Sequence, residues 1–220
     1  MHQSVKNIID LNKKVKQKIN ELNIFNYTPN IIAVSKTFPI SDIMPLIKFG
    51  HNHFGENKVQ EAIEKWTDIK STNDSIKLHM VGKLQSNKVK QAVRIFDYIH
   101  SVDSNKLAKK ISEEQIKQNK KLKIFLQVNI GEEIQKSGIT LNEVSKLSDE
   151  CKKMDLDVIG LMCLPPLNKQ STEYFSKIKE KNDELNFNQL SLGMSNDFIN
   201  ALEFNSTFLR IGTKIFGERT

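Results

Sequence analysis

Lys36 is the residue whose type and position point most directly to covalent chemistry. It follows the apolar run 31–35 and precedes Thr37-Phe38-Pro39, so it stands where a buried strand leaves a sheet. A lysine at such an exit can be partly desolvated, which lowers its pKa and frees the neutral amine that Schiff-base formation needs. The alternative is that Lys36 is one more solvated lysine in a lysine-rich chain.

Two short turns near the C-terminal end have the composition of a phosphate-binding site. Gly193-Met194-Ser195-Asn196 combines a glycine, a hydroxyl and a predicted helix at 196–203 whose N-cap is Ser195. Gly212-Thr213 offers a second glycine and hydroxyl after the next strand. The alternative is structural: Ser195 is only an N-cap, and both glycines are turn residues.

Arginine is scarce in this chain, which makes Arg210 informative. Of 33 basic residues only Arg94, Arg210 and Arg219 are arginines, and Arg210 lies near the end of an apolar strand. Where lysine is the default cation, an arginine suggests a need for a planar guanidinium, although a structural salt bridge is the alternative.

A Schiff-base lysine, a phosphate cradle and an arginine together predict pyridoxal 5′-phosphate (PLP) as the cofactor. Its aldehyde would join Lys36, its phosphate would lie on Ser195 and Thr213, and Arg210 would face the pyridine ring.

The elements that must position these residues alternate between strand and helix along the chain. An amphipathic helix is predicted within 1–26, and strands at 31–35, 51–54, 78–81, 98–102, 122–130, 158–162, 190–192 and 207–211. About eight such units predict an α/β fold, a (β/α)8 TIM barrel with an additional N-terminal helix, whose strand ends meet at one mouth. An open doubly wound sheet is the alternative. No linker divides the chain, so residues 1–220 are predicted to form a single domain.

Composition excludes several classes of protein. The net charge is +7, but the lysines are dispersed, so they are interpreted as solvated helix faces; a nucleic-acid-binding protein without a cofactor is the rival class. No segment has the length of a membrane span or the apolar core of a signal peptide. Cys151 and Cys163 form no disulfide framework, and His51 and His53 lack further ligands, so we expect a cytoplasmic protein without metal.

Seven short motifs, in this order and at these spacings, carry a resemblance to a known family: Ala33-Val34-Ser35-Lys36-Thr37, His53-Phe54-Gly55-Glu56-Asn57-Lys58-Val59-Gln60-Glu61, Leu84-Gln85-Ser86-Asn87-Lys88, Lys136-Ser137-Gly138, Gly160-Leu161-Met162, Leu192-Gly193-Met194-Ser195-Asn196-Asp197 and Arg210-Ile211-Gly212-Thr213-Lys214-Ile215-Phe216-Gly217. From about Ile31 to Arg219, the chain resembles the YggS/PROSC group of pyridoxal-phosphate homeostasis proteins.

The resemblance implies a barrel akin to the alanine racemase N-terminal domain, with Lys36 as the aldimine lysine. It also implies Asn57 near the cofactor, and Ser195, Gly212 and Thr213 on the phosphate. Lys83 departs from the pattern where histidine is expected, and Cys163 where a small residue is usual.

The resemblance also bears on activity. Racemases of this fold append a β-domain that supplies a catalytic tyrosine, whereas this sequence ends just after its eighth strand, and Tyr27, Tyr98 and Tyr174 are poorly placed to replace that tyrosine. Racemisation needs two proton-transfer groups, and Lys36 supplies one. An arginine at the pyridine nitrogen disfavours its protonation and makes the ring a poorer electron sink.

The expected function is therefore intracellular PLP (vitamin B6) homeostasis, without efficient amino-acid catalysis and without catalytic residues. The expected partners are PLP and PLP-dependent enzymes, the expected state is a monomer, and neither nucleic acid nor membrane is expected. A slow or narrow-scope PLP-dependent racemase or lyase is the alternative.

Overall fold

The computed structural model, which describes residues 1–166 and 169–218, contains a closed barrel of eight parallel strands in chain order. The strands are β1 Asn30–Val34, β2 His53–Glu56, β3 Lys77–Met80, β4 Tyr98–Val102, β5 Lys123–Val128, β6 Asp157–Cys163, β7 Gln189–Ser191 and β8 Phe208–Ile211. The barrel closes where β1 pairs with β8, with Ile32 opposite Arg210. This confirms the predicted TIM barrel and excludes the open sheet. Arg219 lies outside the described residues.

Helices connect the strands on the outside of the barrel. Within the described ranges they are α1 Gln3–Glu21, α2 Ile40–Lys48, α3 Val59–Thr72, α4 Val89–Ile95, α5 Asn105–Gln118, α6 Val144–Lys153, α7 Ser171–Glu184, α8 Phe198–Leu202 and α9 Thr213–Phe216. Short 3₁₀ turns at Ser86–Lys88 and Leu141–Glu143 lead into α4 and α6. Among the residues that the structure describes, no helix combines the length and the apolar character that crossing a membrane requires.

Alternation along the strands separates two apolar layers. Ile31 and Ala33 belong to the large cluster that the strands share with the helices. Ile32 and Val34 instead join Phe125 and other residues in a small second cluster. Successive strand residues point to opposite faces, so the second cluster fills the barrel interior.

The predicted N-terminal helix is present as α1. Val5, Ile8, Leu11, Val15 and Ile19 are buried at three- and four-residue steps and join the outer apolar cluster. Two polar contacts attach α1 near the barrel closure: the Asn7 side-chain amide donates to the Ile215 carbonyl at 2.9 Å, and Lys18 pairs with Glu203 at 2.8 Å.

Most strand boundaries differ from the sequence prediction by one or two residues, and three differences bear on the site. Strand β2 begins and ends two residues later than predicted, which places Glu56 inside the sheet rather than in the loop at the mouth. The helix predicted at 196–203 begins only at Phe198, and the short helix α9 was not predicted. A four- or five-residue helix is too short to show the periodicity on which such predictions depend.

Candidate functional site

A cavity of about 600 Å³ lies at the C-terminal ends of the strands. Five of the six residues predicted to bind the cofactor line it: Lys36, Ser195, Arg210, Gly212 and Thr213. They come from the segments that follow β1, β7 and β8 and from β8 itself, which are far apart in sequence. The barrel therefore brings together the amine, the hydroxyls and the guanidinium that the motifs contain.

The turn that carries Lys36 has an unusual backbone. Lys36 is half-buried two residues after β1, and Thr37 next to it has a φ of 70°. A β-branched residue in the left-handed region is uncommon and is retained only where the surroundings hold it. Here the Thr37 N–H donates to Glu61 Oε1 at 2.5 Å, and the Phe38 N–H donates to the Ser35 carbonyl at 3.2 Å.

A buried ion pair behind this turn ties it to α3. Lys65 Nζ contacts Glu56 Oε1 at 2.7 Å and Glu61 Oε1 at 2.9 Å, and it donates to the Ser35 carbonyl at 2.9 Å. Glu56 is fully buried, and burial raises its pKa while the Lys65 ammonium opposes that shift. Because one ammonium bonds both carboxylates and the strand exit, Lys65 fixes the backbone on either side of Lys36.

We expect Lys65→Met to lower the free energy of unfolding by about 3 kcal/mol, because it leaves the Glu56 carboxyl buried without its cation. Urea unfolding measures this loss, and amide hydrogen exchange should accelerate at Ser35 and Phe38. Lys121→Met is the matched control, since the Lys121–Asp155 pair is exposed and should contribute under about 1 kcal/mol. Equal losses in the two variants would contradict the role assigned to Lys65.

Ser195, Gly212 and Thr213 form the hydroxyl-bearing side of the cavity. The predicted N-cap role of Ser195 is wrong: α8 has Asp197 as its N-cap, and the Asp197 carboxylate accepts the Met194 N–H at 2.6 Å. Ser195 lies in the turn before the helix, so its hydroxyl is not used in capping. Gly193, by contrast, is structurally required, because its φ is 86° and an added Cβ would lie 2.8 Å from the Cβ of Ala201.

Gly212 supplies the test of whether the cavity suits a phosphate group. Its φ of −112° suits any residue, and the nearest atom to an added Cβ is the Val34 carbonyl oxygen at an ordinary 3.5 Å. The protein itself therefore does not require glycine here. Since Gly212 lines the cavity between Arg210 and Thr213, the missing side chain leaves room for a ligand to approach the backbone. These residues fit the predicted cofactor.

Arg210 is held rigidly at one wall of the cavity. Arg210 is only 5% exposed. Its Nη1 donates to the Ser191 carbonyl at 2.5 Å and to Ser191 Oγ at 2.6 Å. Its Nη2 donates to the Cys163 carbonyl at 2.8 Å. The structural salt bridge considered from the sequence is not among the ion pairs of the described residues; Arg210 uses neutral acceptors instead. Burial lowers the pKa of Arg210 from its usual value.

Three histidines continue the hydrogen bonding away from Arg210 into the barrel. Ser191 Oγ lies 2.8 Å from His100 Nδ1, His100 Nε2 lies 2.9 Å from His79 Nδ1, and His79 Nε2 lies 2.9 Å from His53 Nδ1. His79, His100 and Ser191 are fully buried, whereas His53 is half-buried at the start of β2. Residues from β2, β3, β4, β7 and β8 are thus joined in one chain across the barrel.

Burial lowers the pKa of His79 and His100 well below the ordinary value and that of His53 to about 4. Between about pH 6.5 and pH 4 the unfolded chain therefore takes up protons that the folded histidines do not. We expect the free energy of unfolding to fall as pH falls through this window, by up to about 1.4 kcal/mol per pH unit for each histidine. Urea titrations at successive pH values measure this slope.

The charged and titratable groups facing the histidine chain are His51, Lys70, Lys77, Asp97, Tyr98 and Arg210. The slope should be shallower in a His79→Phe/His100→Phe variant, which removes two of the groups that titrate differently in the folded and unfolded states. An unchanged slope in that variant would contradict the assignment.

Asn57 is the predicted cofactor residue that does not line this cavity. It lines a neighbouring cavity of about 320 Å³ together with Lys83, Lys58 and Lys88, and its backbone packs against Gly82. Its role at the cofactor stays a prediction. Lys83, the departure from the family pattern, therefore also lies beside the main cavity rather than in it.

Cys163 touches the site through its backbone, not its thiol. Its carbonyl accepts from Arg210, while burial raises the pKa of the thiol to about 12. At neutral pH this cysteine is protonated and fully buried, which agrees with the interpretation of an inert thiol.

Sequence reasoning missed Ser191, His79, His100, Lys65 and Lys169. Lys169 lines the cavity from the segment before α7, and the others support Lys36 or Arg210 from behind. The alternation of side chains along a strand could have revealed part of this support. Phe208 and Arg210 are two residues apart on β8, so both side chains point into the barrel. A guanidinium buried there needs hydrogen-bond acceptors.

Comparison with known proteins gives a consistent set of relatives. The family model of the alanine racemase N-terminal domain matches residues 10–220. A pyridoxal phosphate homeostasis protein of Pasteurella multocida is 32% identical, with 97% of this chain and 96% of that one covered. The protein of the same name from Escherichia coli K12 is 34% identical, with 86% and 85% covered.

Solved structures agree with the barrel. PipY of Synechococcus elongatus, solved with PLP bound, superposes with a TM-score of 0.79 at 31% identity, covering 92% of this chain and 100% of that one. The alanine racemase of Clostridium difficile superposes with a TM-score of 0.70 at 16% identity, covering 96% of this chain but 57% of that one. The second likeness shows the fold alone.

Proposed function

This chain belongs to the alanine racemase N-terminal-domain family and to its pyridoxal phosphate homeostasis proteins, and on that premise we propose that it binds PLP and acts in PLP homeostasis. The observation that carries the proposal is that Lys36, Ser195, Arg210, Gly212 and Thr213 all line one cavity. It supplies an amine for an aldehyde, hydroxyls and an open glycine for a phosphate, and a fixed guanidinium for a ring nitrogen.

Within this proposal each residue has one task. Lys36 would hold PLP through its amine, which would condense with the cofactor's aldehyde with loss of one water. Ser195, Thr213 and the backbone at Gly212 would hold the phosphate, and Asn57 would lie near the cofactor from the neighbouring loop. Arg210, already bonded to three protein acceptors, has further N–H groups that would face the pyridine ring.

We further propose that the bound cofactor is held and passed on rather than used for efficient amino-acid chemistry. A cation facing the pyridine nitrogen disfavours its protonation. None of the three tyrosines lies among the described lining residues, and the Tyr27 hydroxyl instead donates to the Ser206 carbonyl at 2.5 Å. PLP-dependent enzymes are the expected recipients.

The experiment is to add PLP to the purified protein, reduce with borohydride and map the modified peptides by mass spectrometry. A pyridoxyl adduct on Lys36 is the expected result. An adduct confined to another lysine, Lys169 in the same cavity above all, would overturn the assignment of the tether.

One observation favours the alternative of a slow or narrow-scope racemase or lyase. Lys169 lines the same cavity as Lys36, so it is a candidate for a second proton-transfer group. Steady turnover of one amino acid that is lost in both Lys36→Ala and Lys169→Ala would establish this function instead.

We also propose that residues 1–220 act as one cytoplasmic, monomeric domain. The support is that α1 packs on the barrel and that both cysteines are buried thiols without a disulfide. Sedimentation of the purified protein tests the monomer.

A further inference from the structure

The chain of hydrogen bonds from Arg210 to His53 has only one direction that satisfies every member. We propose that Ser191, His100 and His79 are positioning residues for Arg210, and that His53, His79 and His100 are all neutral tautomers protonated at Nε2. The positioning role rests on the proposed function, because it assumes that Arg210 faces the cofactor ring. The histidine tautomers do not depend on the proposed function.

The direction follows from the chemistry of arginine. A guanidinium has donors only, so Ser191 Oγ must accept from Arg210 Nη1. Among the described residues, the other contact of this hydroxyl is His100 Nδ1, 2.8 Å away. A fully buried hydroxyl that failed to donate would forfeit a hydrogen bond, so Ser191 donates to His100 Nδ1, and that nitrogen carries no hydrogen.

The same argument then passes along the histidines. With Nδ1 accepting, His100 keeps its hydrogen on Nε2 and donates it to His79 Nδ1, and His79 Nε2 in turn donates to His53 Nδ1. With the Nε2 hydrogens so placed, a proton on His79 Nδ1 or His53 Nδ1 would put two hydrogens between facing nitrogens, and a proton on His100 Nδ1 would face the hydrogen of the Ser191 hydroxyl. The lowered pKa values of the three histidines agree with uncharged rings.

Aromatic neighbours hold the two inner rings in the required planes. His79 stacks on Tyr98 with ring centroids 4.2 Å apart, and His100 stacks on Phe125 at 4.4 Å. Because neither ring can rotate without losing its stacking partner, the nitrogens stay aligned. The Ser191 hydroxyl is thereby kept with its oxygen lone pair toward Arg210.

As a consequence, the orientation of the Arg210 guanidinium is fixed by residues inside the barrel. Three of its five N–H groups are used by Ser191 and Cys163, and the Nε–H and one Nη2–H remain for the cavity. The hydrogen-bond chain also connects His53, at the opposite end of the barrel, to the site. Protonating half-buried His53 at Nδ1 would reverse the three bonds between His53 and Ser191, so that the Ser191 hydroxyl would accept from both Arg210 and His100.

The first test uses the protein without cofactor. Long-range ¹⁵N–¹H spectra of ¹⁵N-histidine-labelled protein at neutral pH should show unprotonated Nδ1 and protonated Nε2 for His53, His79 and His100. A protonated Nδ1 on any of the three histidines, with or without a second proton on the ring, would overturn the inference.

The second test separates positioning from mere stability. Ser191→Ala and His100→Phe should shift the Arg210 Nε resonance in the cofactor-free protein and, after loading with PLP, the ¹⁵N resonance of the pyridine nitrogen. Ser191→Thr retains the hydroxyl and should restore both. Variants that lose thermal stability while both resonances stay unchanged would show a structural role only and would overturn the inference.

The two proposals fail in different ways. If the wild-type protein takes up no PLP, the proposed function fails, whereas the histidine tautomers and the Arg210 resonance still decide the positioning role. If PLP loads onto Lys36 but Ser191→Ala leaves both resonances unmoved, only the positioning role is refuted.

Discussion

Replacing Lys36 with alanine should abolish covalent attachment of PLP and weaken its binding ~100-fold, a change of about 2.8 kcal/mol. Lys36 is the amine that follows β1 directly at the cavity, and its turn is fixed by Lys65 and Glu61. In the proposed site the hydroxyls and Arg210 would still hold the phosphate and the ring without Lys36, so residual affinity is expected. Equilibrium dialysis measures the affinity, and borohydride reduction followed by mass spectrometry measures the attachment.

Two further variants make this result specific. Lys36→Arg keeps the positive charge but cannot form the covalent bond, because a guanidinium stays protonated; it should therefore lose attachment as fully as alanine does. Lys58→Ala, which removes an exposed lysine of the neighbouring cavity, should retain both attachment and affinity. Undiminished attachment in Lys36→Ala would contradict the assignment of the tether.

The fold was predictable because its signal repeats. Strand-like and helical segments alternate through the chain, and that periodicity does not depend on any one boundary. The shift of β2 to His53–Glu56 and the late start of α8 at Phe198 left the topology intact. They changed only local roles: Glu56 became a buried partner of Lys65, and Ser195 lost its capping role.

The cavity-lining residues were predictable for a related reason, whereas their supports were not. In a barrel, the C-terminal ends of all strands converge on one face. Lys36, Ser195, Arg210 and Thr213 therefore lie close together even if the strand boundaries are predicted inexactly. The contact of His79 with His100, by contrast, depends on the stagger between β3 and β4, where His79 pairs with Tyr98. No short turn joins neighbouring parallel strands, so the register between them cannot be predicted from a local sequence pattern.

Replacing Arg210 with methionine should lower the free energy of unfolding by about 3–5 kcal/mol, the largest stability effect expected at this site, because three buried acceptors lose their donor. The change leaves the Ser191 hydroxyl, which also faces His100, and the carbonyls of Ser191 and Cys163 without their charged donor. Each buried acceptor without a partner costs about 1–3 kcal/mol, and because they share one donor the losses do not simply add. Urea unfolding of the cofactor-free protein measures the effect.

Arg210→Lys and Arg94→Met show whether the fork or the charge matters. A single ammonium cannot reach three acceptors on two strands, so Arg210→Lys should still lose roughly 1.5–3 kcal/mol. Arg94 lies exposed on α4, and Arg94→Met should change stability by no more than about 0.5 kcal/mol. If Arg210→Met were as mild as Arg94→Met, the guanidinium would not be anchored by the barrel. The proposal that Arg210 presents a fixed donor edge to the cofactor ring would then have no structural basis.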